Sequence, residues 1–407
     1  MASLKLKGVN KLFPSGTLAL CNVNLELSDK EFVAVVGAEK SGKSTLLRVI
    51  AGLEEPTAGE IYIGDKDVSS VPPKDRDVAM IFRNDTLYPS INVFENMAFG
   101  LKLRKAPQAA VEQRVKVAAA ILGLGDVLSR KPKQLTAEQR QRVALGRAIV
   151  REPKLYLLDD PIAGLDSQLK ARMRNVIINL QARMQGTFIY ATKNVSEALT
   201  MATRVVVMRE GVIQQVDTPA NLYDYPANAY VAFYIGSPTI NFINGAVIEQ
   251  RGESVCAVYK DIELPLPENI LARFASKEQY IGTGKKVIVG LRPEDIRCGA
   301  EGSIEGVVSA KEKSGETEYA DCQLIPGVSL LAVCATDAAK GDSVKLDCDL
   351  SHTYLFDADT RLTLLERDEG YTKTGYADAD ASSMTYAEEE KLKSDLKPVA
   401  APSKKKR

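Results

Sequence analysis

Glu31-Phe32-Val33-Ala34-Val35-Val36 runs straight into Gly37-Ala38-Glu39-Lys40-Ser41-Gly42-Lys43-Ser44-Thr45, an apolar strand joined to a GxxxxGK[ST] loop and then to the helix-forming TLLRVIAGL. In this pattern the loop's backbone N–H groups cradle phosphates, the lysine reaches the β/γ-phosphates and the following hydroxyl holds Mg²⁺. The helix N-terminus beneath the loop adds a favourable field for anions. Gly37, Ala38, Glu39, Lys40, Ser41, Gly42, Lys43, Ser44 and Thr45 are therefore the candidate nucleotide-binding residues, with Lys43 on phosphate and Ser44 on the metal.

Outward from this loop, residues 3–36 and 60–82 run or alternate apolar in short stretches broken by Pro, Gly and Asp, which predicts strands. Residues 107–123 place Ala, Val, Ile and Leu at helical spacing, and TAEQRQRVALGRAIVR reads as a second helix with Thr136 ahead of an acidic first turn. A helical subdomain is thus expected over about 87–150. LYLLDD, TFIYAT and RVVVM then read as buried strands, separated by helices over 167–184 and 195–203. That alternation predicts a largely parallel sheet and an α/β P-loop NTPase over residues 1–236. From residue 240 short strands replace helices, so residues 237–366 form a second, all-β domain. Residues 367–407 lack apolar periodicity, end in Lys404-Lys405-Lys406-Arg407, and read as a disordered tail. Its basic end suits either plain solvation or an anionic membrane surface.

The chain has 407 residues, enough for two or three domains because single cores rarely grow past about 250–300 residues. Its 53 Lys plus Arg balance 53 Asp plus Glu, which excludes a global field for nucleic acid or acidic substrates. No start resembles a signal peptide and no apolar run approaches the roughly 20 residues a membrane span needs, so the expectation is a soluble, cytoplasmic chain. Cys21, Cys256, Cys298, Cys322, Cys334 and Cys348 form no CxxC pair and His352 is the only histidine. Zinc is therefore not expected. The spacing of Cys348 and His352 would suit two ligands on a helix, but no local pattern supplies two more, and the thiols read as reduced and structural.

Leu155-Tyr156-Leu157-Leu158-Asp159-Asp160 is an apolar strand ending in carboxylates, which is what Mg-nucleotide chemistry needs opposite a phosphate loop. Asp159 is the candidate metal carboxylate and Asp160 the group that orients or deprotonates an attacking water. With these motifs in hand, the chain resembles the ATP-binding subunits of ATP-binding-cassette (ABC) importers, in the maltose, multiple-sugar and glycerol-phosphate group. The resemblance spans nearly the whole sequence: NKLFPSGTLAL with Phe13 near the adenine, PPKDRDVAMIFRNDTLYPSINVFENMAFGLKL where the family meets its membrane subunits, QLTAEQRQRVALGRAI at the signature, LLDDPIAGLD at the metal strand, and YATKNVSEAL at the switch. GSPTINFINGAV and GLRPEDI resemble the group's small, OB-like β-barrel regulatory domain, and GSPxxNF points to sugars rather than polyamine, iron or sulphate.

The resemblance implies Mg²⁺ and ATP sandwiched in a head-to-tail dimer, each between one subunit's phosphate loop and the other's signature. Here the signature is Leu135, Thr136, Ala137, Glu138 and Gln139, and Asp166 falls at a dimer contact. The implied partners are transporter membrane subunits, a second copy or a related ATPase, and indirectly an extracellular solute-binding protein, with no nucleic acid. The implied place is the peripheral, cytoplasmic face of the plasma (inner) membrane.

Several positions depart from the family pattern. Glu39 and Lys40 replace a Ser-Gly pair, which crowds one backbone approach and sets a carboxylate near the γ-phosphate, with Lys40 beside it to offset the charge. Arg83 replaces a glutamine that contacts Mg²⁺ and water, and it can neither coordinate a cation nor accept a proton. The signature keeps a hydroxyl but loses both glycines, and Glu138 is expected to bring negative charge toward the partner's γ-phosphate. Asp160 replaces a glutamate, retracting the base by about one methylene. Lys193 replaces the switch histidine and holds phosphate only as a point charge. Lys43, Ser44, Asp159 and Asp166 remain, so the expectation is Mg-ATP binding with slow hydrolysis at a site whose catalytic candidates are Asp160, Lys193 and Arg83. Two other readings stand beside it: tolerated drift in a working ATPase, and a nucleotide-sensing pseudo-ATPase whose β-domain binds a regulator.

Overall fold

The computed structural model describes residues 2–83, 87–368 and 371; the expected tail lies almost wholly outside the described residues, as do residues 84–86 of the segment expected to meet membrane subunits. Two compact units divide near residue 219, and each is taken by itself.

The first unit opens with β1 (Leu4–Leu12), β2 (Leu18–Leu27), β3 (Phe32–Val36), α1 (Lys43–Ala51), β4 (Ala58–Ile63), β5 (Lys66–Asp67) and β6 (Val78–Ile81). Then come α2 (Val93–Leu103), α3 (Gln108–Leu122), α4 (Ala137–Ile149), β7 (Leu155–Asp159), α5 (Ser167–Met184), β8 (Thr187–Thr192), α6 (Val195–Met201), β9 (Arg204–Arg209) and β10 (Val212–Asp217). An antiparallel sheet runs β2-β1-β4-β5, and a six-stranded sheet runs β10-β9-β3-β8-β7-β6 with only the β10 edge antiparallel. β3 reads FVAVV and is buried at every position, the pattern of a strand covered on both faces.

Register does the rest. Val36 pairs with Thr192, Asp159 with Ala191, and Ile81 with Leu158, so the carboxyl ends of β3, β8, β7 and β6 lie level. The residues just past them, Gly37, Lys193, Asp160 and Arg83, converge on one edge of the sheet, where open α/β sheets place their ligands. Buried charges brace this frame. Arg204 and Glu31 are each about 1% exposed at the side chain, with Nε 2.6 Å from Oε1, and Arg204 also donates to Glu26 O at 2.6 Å. Arg76 donates to Val49 O and Ile50 O at the end of α1, satisfying carbonyls that the helix leaves open.

In the second unit, α7 (Pro219–Asp224) and α8 (Ala229–Ile235) precede β11 (Asn241–Arg251), β12 (Ser254–Tyr259), β13 (Ile262–Pro265), α9 (Glu268–Arg273) and β14 (Lys286–Leu291). β15 (Ile296–Gly299), β16 (Ile304–Ser314), β17 (Thr317–Ile325), β18 (Val328–Cys334), β19 (Ser343–Cys348) and β20 (Tyr354–Asp357) complete it. A five-stranded sheet runs β13-β12-β11-β14-β20, and β15-β18-β17-β16-β19 close into a barrel, so the all-β region holds a barrel and a sheet over one apolar cluster. Arg292 explains why residues 220–236 group with the strands rather than ending the first unit where composition changes. It is 1% exposed, donates to Ala232 O at 3.0 Å and Tyr223 O at 2.9 Å, and lies 4.0 Å from the Tyr223 ring centroid. Cys348 ends β19 and His352 closes a 3-10 turn with Nδ1 3.2 Å from Asp295 Oδ1, so the two do not share a helix.

Candidate nucleotide-binding site

The phosphate loop is held by close approaches that only glycine permits. A Cβ at Gly37 would lie 2.3 Å from Met208 O, and one at Gly42, whose φ is +102°, would lie 2.6 Å from Ala19 O. Lys40 stands where a glycine would be unstrained and still takes φ 65°, a left-handed conformation that costs an L-residue about 1–2 kcal/mol. Lys43 turns into the loop, its Nζ 2.8 Å from Gly37 O, 2.8 Å from Ala38 O and 3.0 Å from Ser41 Oγ. Burial pushes its ammonium below the usual lysine range, against the pull of Asp160, Asp159 and Glu39.

Ser44 Oγ donates to Asp159 Oδ1 at 2.8 Å, joining the first turn of α1 to the end of β7. Hydroxyl and carboxylate side by side are the oxygen donors a hard divalent cation takes alongside phosphate and water. The residues present therefore fit Mg²⁺, which Ser44 and Asp159 would hold. Beside the loop a cavity of about 550 Å³ is lined by Phe13, residues 16–19, residues 40–45 and Glu210, a volume in the range of small-molecule sites. Phe13 is partly exposed at its rim, held by a turn in which its N–H donates to Thr17 O at 2.9 Å.

The positions expected to depart from the family pattern pair with one another. Lys193 Nζ is 3.1 Å from Glu39 Oε1, and this contact holds the Glu39 carboxyl below its ordinary range. Asp160, at φ 47°, donates its N–H to Ala191 O at 2.8 Å and has Oδ2 3.9 Å from Arg83 Nε. Burial pushes the Asp160 carboxyl up, Arg83 opposes, and Glu197 and Asp159 add to the rise. Glu197, which the motif reading passed over, is buried and accepts from Tyr190 Oη at 3.1 Å and Thr192 Oγ1 at 3.0 Å while Asn194 caps α6. It anchors the turn that carries Lys193, and the Asn-x-x-Glu spacing was its sequence signal.

The signature residues sit on a different element. Thr136 caps α4 in a box with Gln139, each side chain accepting from the other's N–H at 3.1 Å, with Leu135 buried before it. Ala137 opens the helix. Glu138 is bonded to Arg142 and has Oε2 3.7 Å from Arg172 Nη1 on α5, so its carboxylate is already balanced by two guanidiniums rather than carried bare on the helix end. Among the described residues these five make no hydrogen bond or ion pair with the phosphate loop of the same chain. Asp166 caps α5, accepting from Leu169 N at 2.9 Å. Gly16, Thr17, Leu18, Ala19 and Glu210 are the cavity-lining residues not among the candidate binding residues; they arrive through β2, the turn before it and the β9–β10 turn beside the loop.

Sheet order, loop and the Ser44–Asp159 pairing define a protein of the P-loop class. A family model described as ABC transporter matches residues 20–163, and one described as MalK OB fold domain matches residues 236–296. The oligosaccharides import ATP-binding protein MsmX of Bacillus subtilis is 42% identical over 372 residues, covering 89% of this chain and 100% of that one. The trehalose/maltose import ATP-binding protein MalK of Thermococcus litoralis is 40% identical over 376 residues, covering 88% and 99%. Among solved structures, cbiO1 of Clostridium perfringens, part of the ABC transporter complex cbiONQ, aligns with a TM-score of 0.51 at 26% identity over 55% of this chain and 90% of that one. The chain belongs to the ATP-binding subunits of ABC transporters, in the group that carries a MalK-type OB-fold domain.

Proposed function

We propose that this chain is the energy-coupling subunit of a carbohydrate importer, working as a head-to-tail dimer with itself or a related ATPase at the cytoplasmic face of the membrane. The observation that carries the reading is the meeting of Lys43, Ser44 and Asp159 at one sheet edge, with Ser44 Oγ 2.8 Å from Asp159 Oδ1. Lys43 binds the β/γ-phosphates, Ser44 and Asp159 hold Mg²⁺, Phe13 faces the adenine, and Leu135, Thr136, Ala137, Glu138 and Gln139 meet the partner's nucleotide. Asp166 lies at the dimer contact. When bound, Mg²⁺ neutralises charge on the β/γ-oxygens. Names of the relatives, which import oligosaccharides and trehalose or maltose, support sugar as the cargo.

An apolar groove of about 450 Å³ supports docking to membrane subunits: it includes Leu53, 48% exposed, and Leu103, 70% exposed, with Phe82 between α1 and α2. Among the described residues no helix is long and apolar enough to cross a membrane, so membrane association would rest on such a surface. A solute-binding protein outside the cell would act only through the membrane subunits.

Hydrolysis on this reading is slow. Asp160 is short, its carboxyl is raised, and Arg83 lies beside it; Lys193 is engaged by Glu39. The test is Mg-ATP binding and steady-state turnover of the purified chain and of Lys43→Ala, alone and with membrane subunits. Binding lost in Lys43→Ala supports the reading, and equal binding by both proteins refutes it.

A further inference from the structure

Three of the chain's cysteines, far apart in sequence, meet inside the C-terminal barrel. Cys298 on β15 is the register partner of Cys334 on β18, in the barrel's single parallel pairing, and Cys322 lies on β17, the next strand round. All three belong to the barrel's apolar cluster and are 2%, 6% and 0% exposed for Cys298, Cys334 and Cys322. Adjacent strands lie about 4.7–4.9 Å apart, inside the roughly 4.4–6.8 Å Cα separation that a disulfide spans.

The three sulfurs differ in surroundings. Cys334 lies at the end of its strand, where as a thiol it donates to Thr336 O at 3.4 Å. Lys311 approaches from β16, its ammonium donating at 3.1 Å to Thr336 O, the carbonyl that the Cys334 thiol also meets. Burial raises the Cys334 thiol, yet contacts from Thr336, Cys298 and Lys311 outweigh it and hold the group below the ordinary thiol range. Cys322 is pushed up to about 12, chiefly by burial, and Cys298 is raised for the same reason. Cys334 thus gives up its proton more readily than its register partner Cys298, the order of an attacking and a resolving thiol.

We propose that Cys334 and Cys298 are a modification site for hydroperoxides, forming a reversible disulfide across the β15–β18 seam, with Cys322 as a bystander. The Cys334 thiolate attacks one peroxide oxygen, the O–O bond breaks, and the sulfur becomes a sulfenic acid as hydroxide leaves and takes up a proton to become water. Cys298 then gives up its proton and its sulfur attacks the sulfenic sulfur, forming the S–S bond and releasing a second water. In sum, two thiols and one hydrogen peroxide give one disulfide and two waters, sulfur being oxidised and peroxide reduced. The bond would covalently close a seam that β15 and β18 otherwise hold by a short ladder.

The test is treatment of the reduced full-length chain with hydrogen peroxide, alkylation after unfolding, and peptide mass mapping. The expected result is a Cys298–Cys334 cross-link that dithiothreitol reverses, with Cys334 consumed about tenfold faster than Cys256. Cys334→Ser should lose the cross-link, and the mapping of the unaltered chain stands even if that variant folds poorly. Six alkylatable thiols after peroxide, a sulfinic acid at Cys334 without a cross-link, or a bond made through Cys322 would each overturn the proposal.

Discussion

The two sides of the nucleotide site contrast. On the side proposed to hold phosphate and metal, Lys43, Ser44 and Asp159 keep the residue types of the P-loop pattern: Lys43 is bonded to Gly37 O, Ala38 O and Ser41 Oγ of the loop at 2.8–3.0 Å, and Ser44 Oγ donates to Asp159 Oδ1 at 2.8 Å. On the side proposed to face an attacking water, the positions expected to depart from the family pattern pair as complements: the Glu39 carboxylate faces the Lys193 ammonium, and the Arg83 guanidinium faces the Asp160 carboxylate. On the proposed reading, binding and turnover draw on separable parts of one sheet edge: backbone geometry and Lys43 serve the first, while the second needs a well-placed base, for which positioning errors of about 1 Å are costly.

The largest expected effect is on the side that keeps the P-loop pattern. Lys43→Ala should weaken Mg-ATP affinity about 100-fold, the loss of charge-assisted bonds to phosphate, checked by titration with a fluorescent ATP analogue. On the other side, Asp160→Glu extends the carboxylate by one methylene and should raise kcat about tenfold with little change in affinity. An unchanged kcat would mean that Asp160 is not the group limiting turnover.

A smaller effect concerns pH. A base must be ionised, and the Asp160 carboxyl sits above its ordinary value, so turnover should fall on acidification earlier than for an unshifted aspartate. Arg83 pulls that value down, so Arg83→Ala should move the acid limb of kcat to higher pH. A limb that stays in place would remove Arg83 from the electrostatics of the base. The smallest effect is structural: Lys40→Gly should stabilise the first unit by about 1 kcal/mol by relieving the left-handed backbone, less the entropy that glycine adds to the unfolded chain, as read by thermal unfolding.

Much of this architecture was legible because its signals are local. The apolar strand FVAVV and the Thr136 cap follow from residue types at short spacing, and the helices over 108–122 and 167–184 follow from period. What was not legible depends on partners distant in sequence. Glu138 read as a bare negative charge because Arg172, on another helix, could not be assigned to it from spacing. Residues 220–236 read as the end of the first unit because nothing near them announces Arg292, which fastens them to the strands. The pairing of Lys193 with Glu39 and the gathering of Cys298, Cys322 and Cys334 likewise come from strand register, which a single chain's pattern does not specify.

The most direct test of the separation between holding and turnover is to measure Mg-ATP binding and steady-state hydrolysis on one preparation, for the native chain and Asp160→Glu together. The account predicts equal binding by both, turnover of the native chain well below the roughly 1 s⁻¹ lower end of ordinary enzymes, and a faster Asp160→Glu. Rapid hydrolysis by the native chain with no gain in Asp160→Glu, or no binding by either, would contradict it.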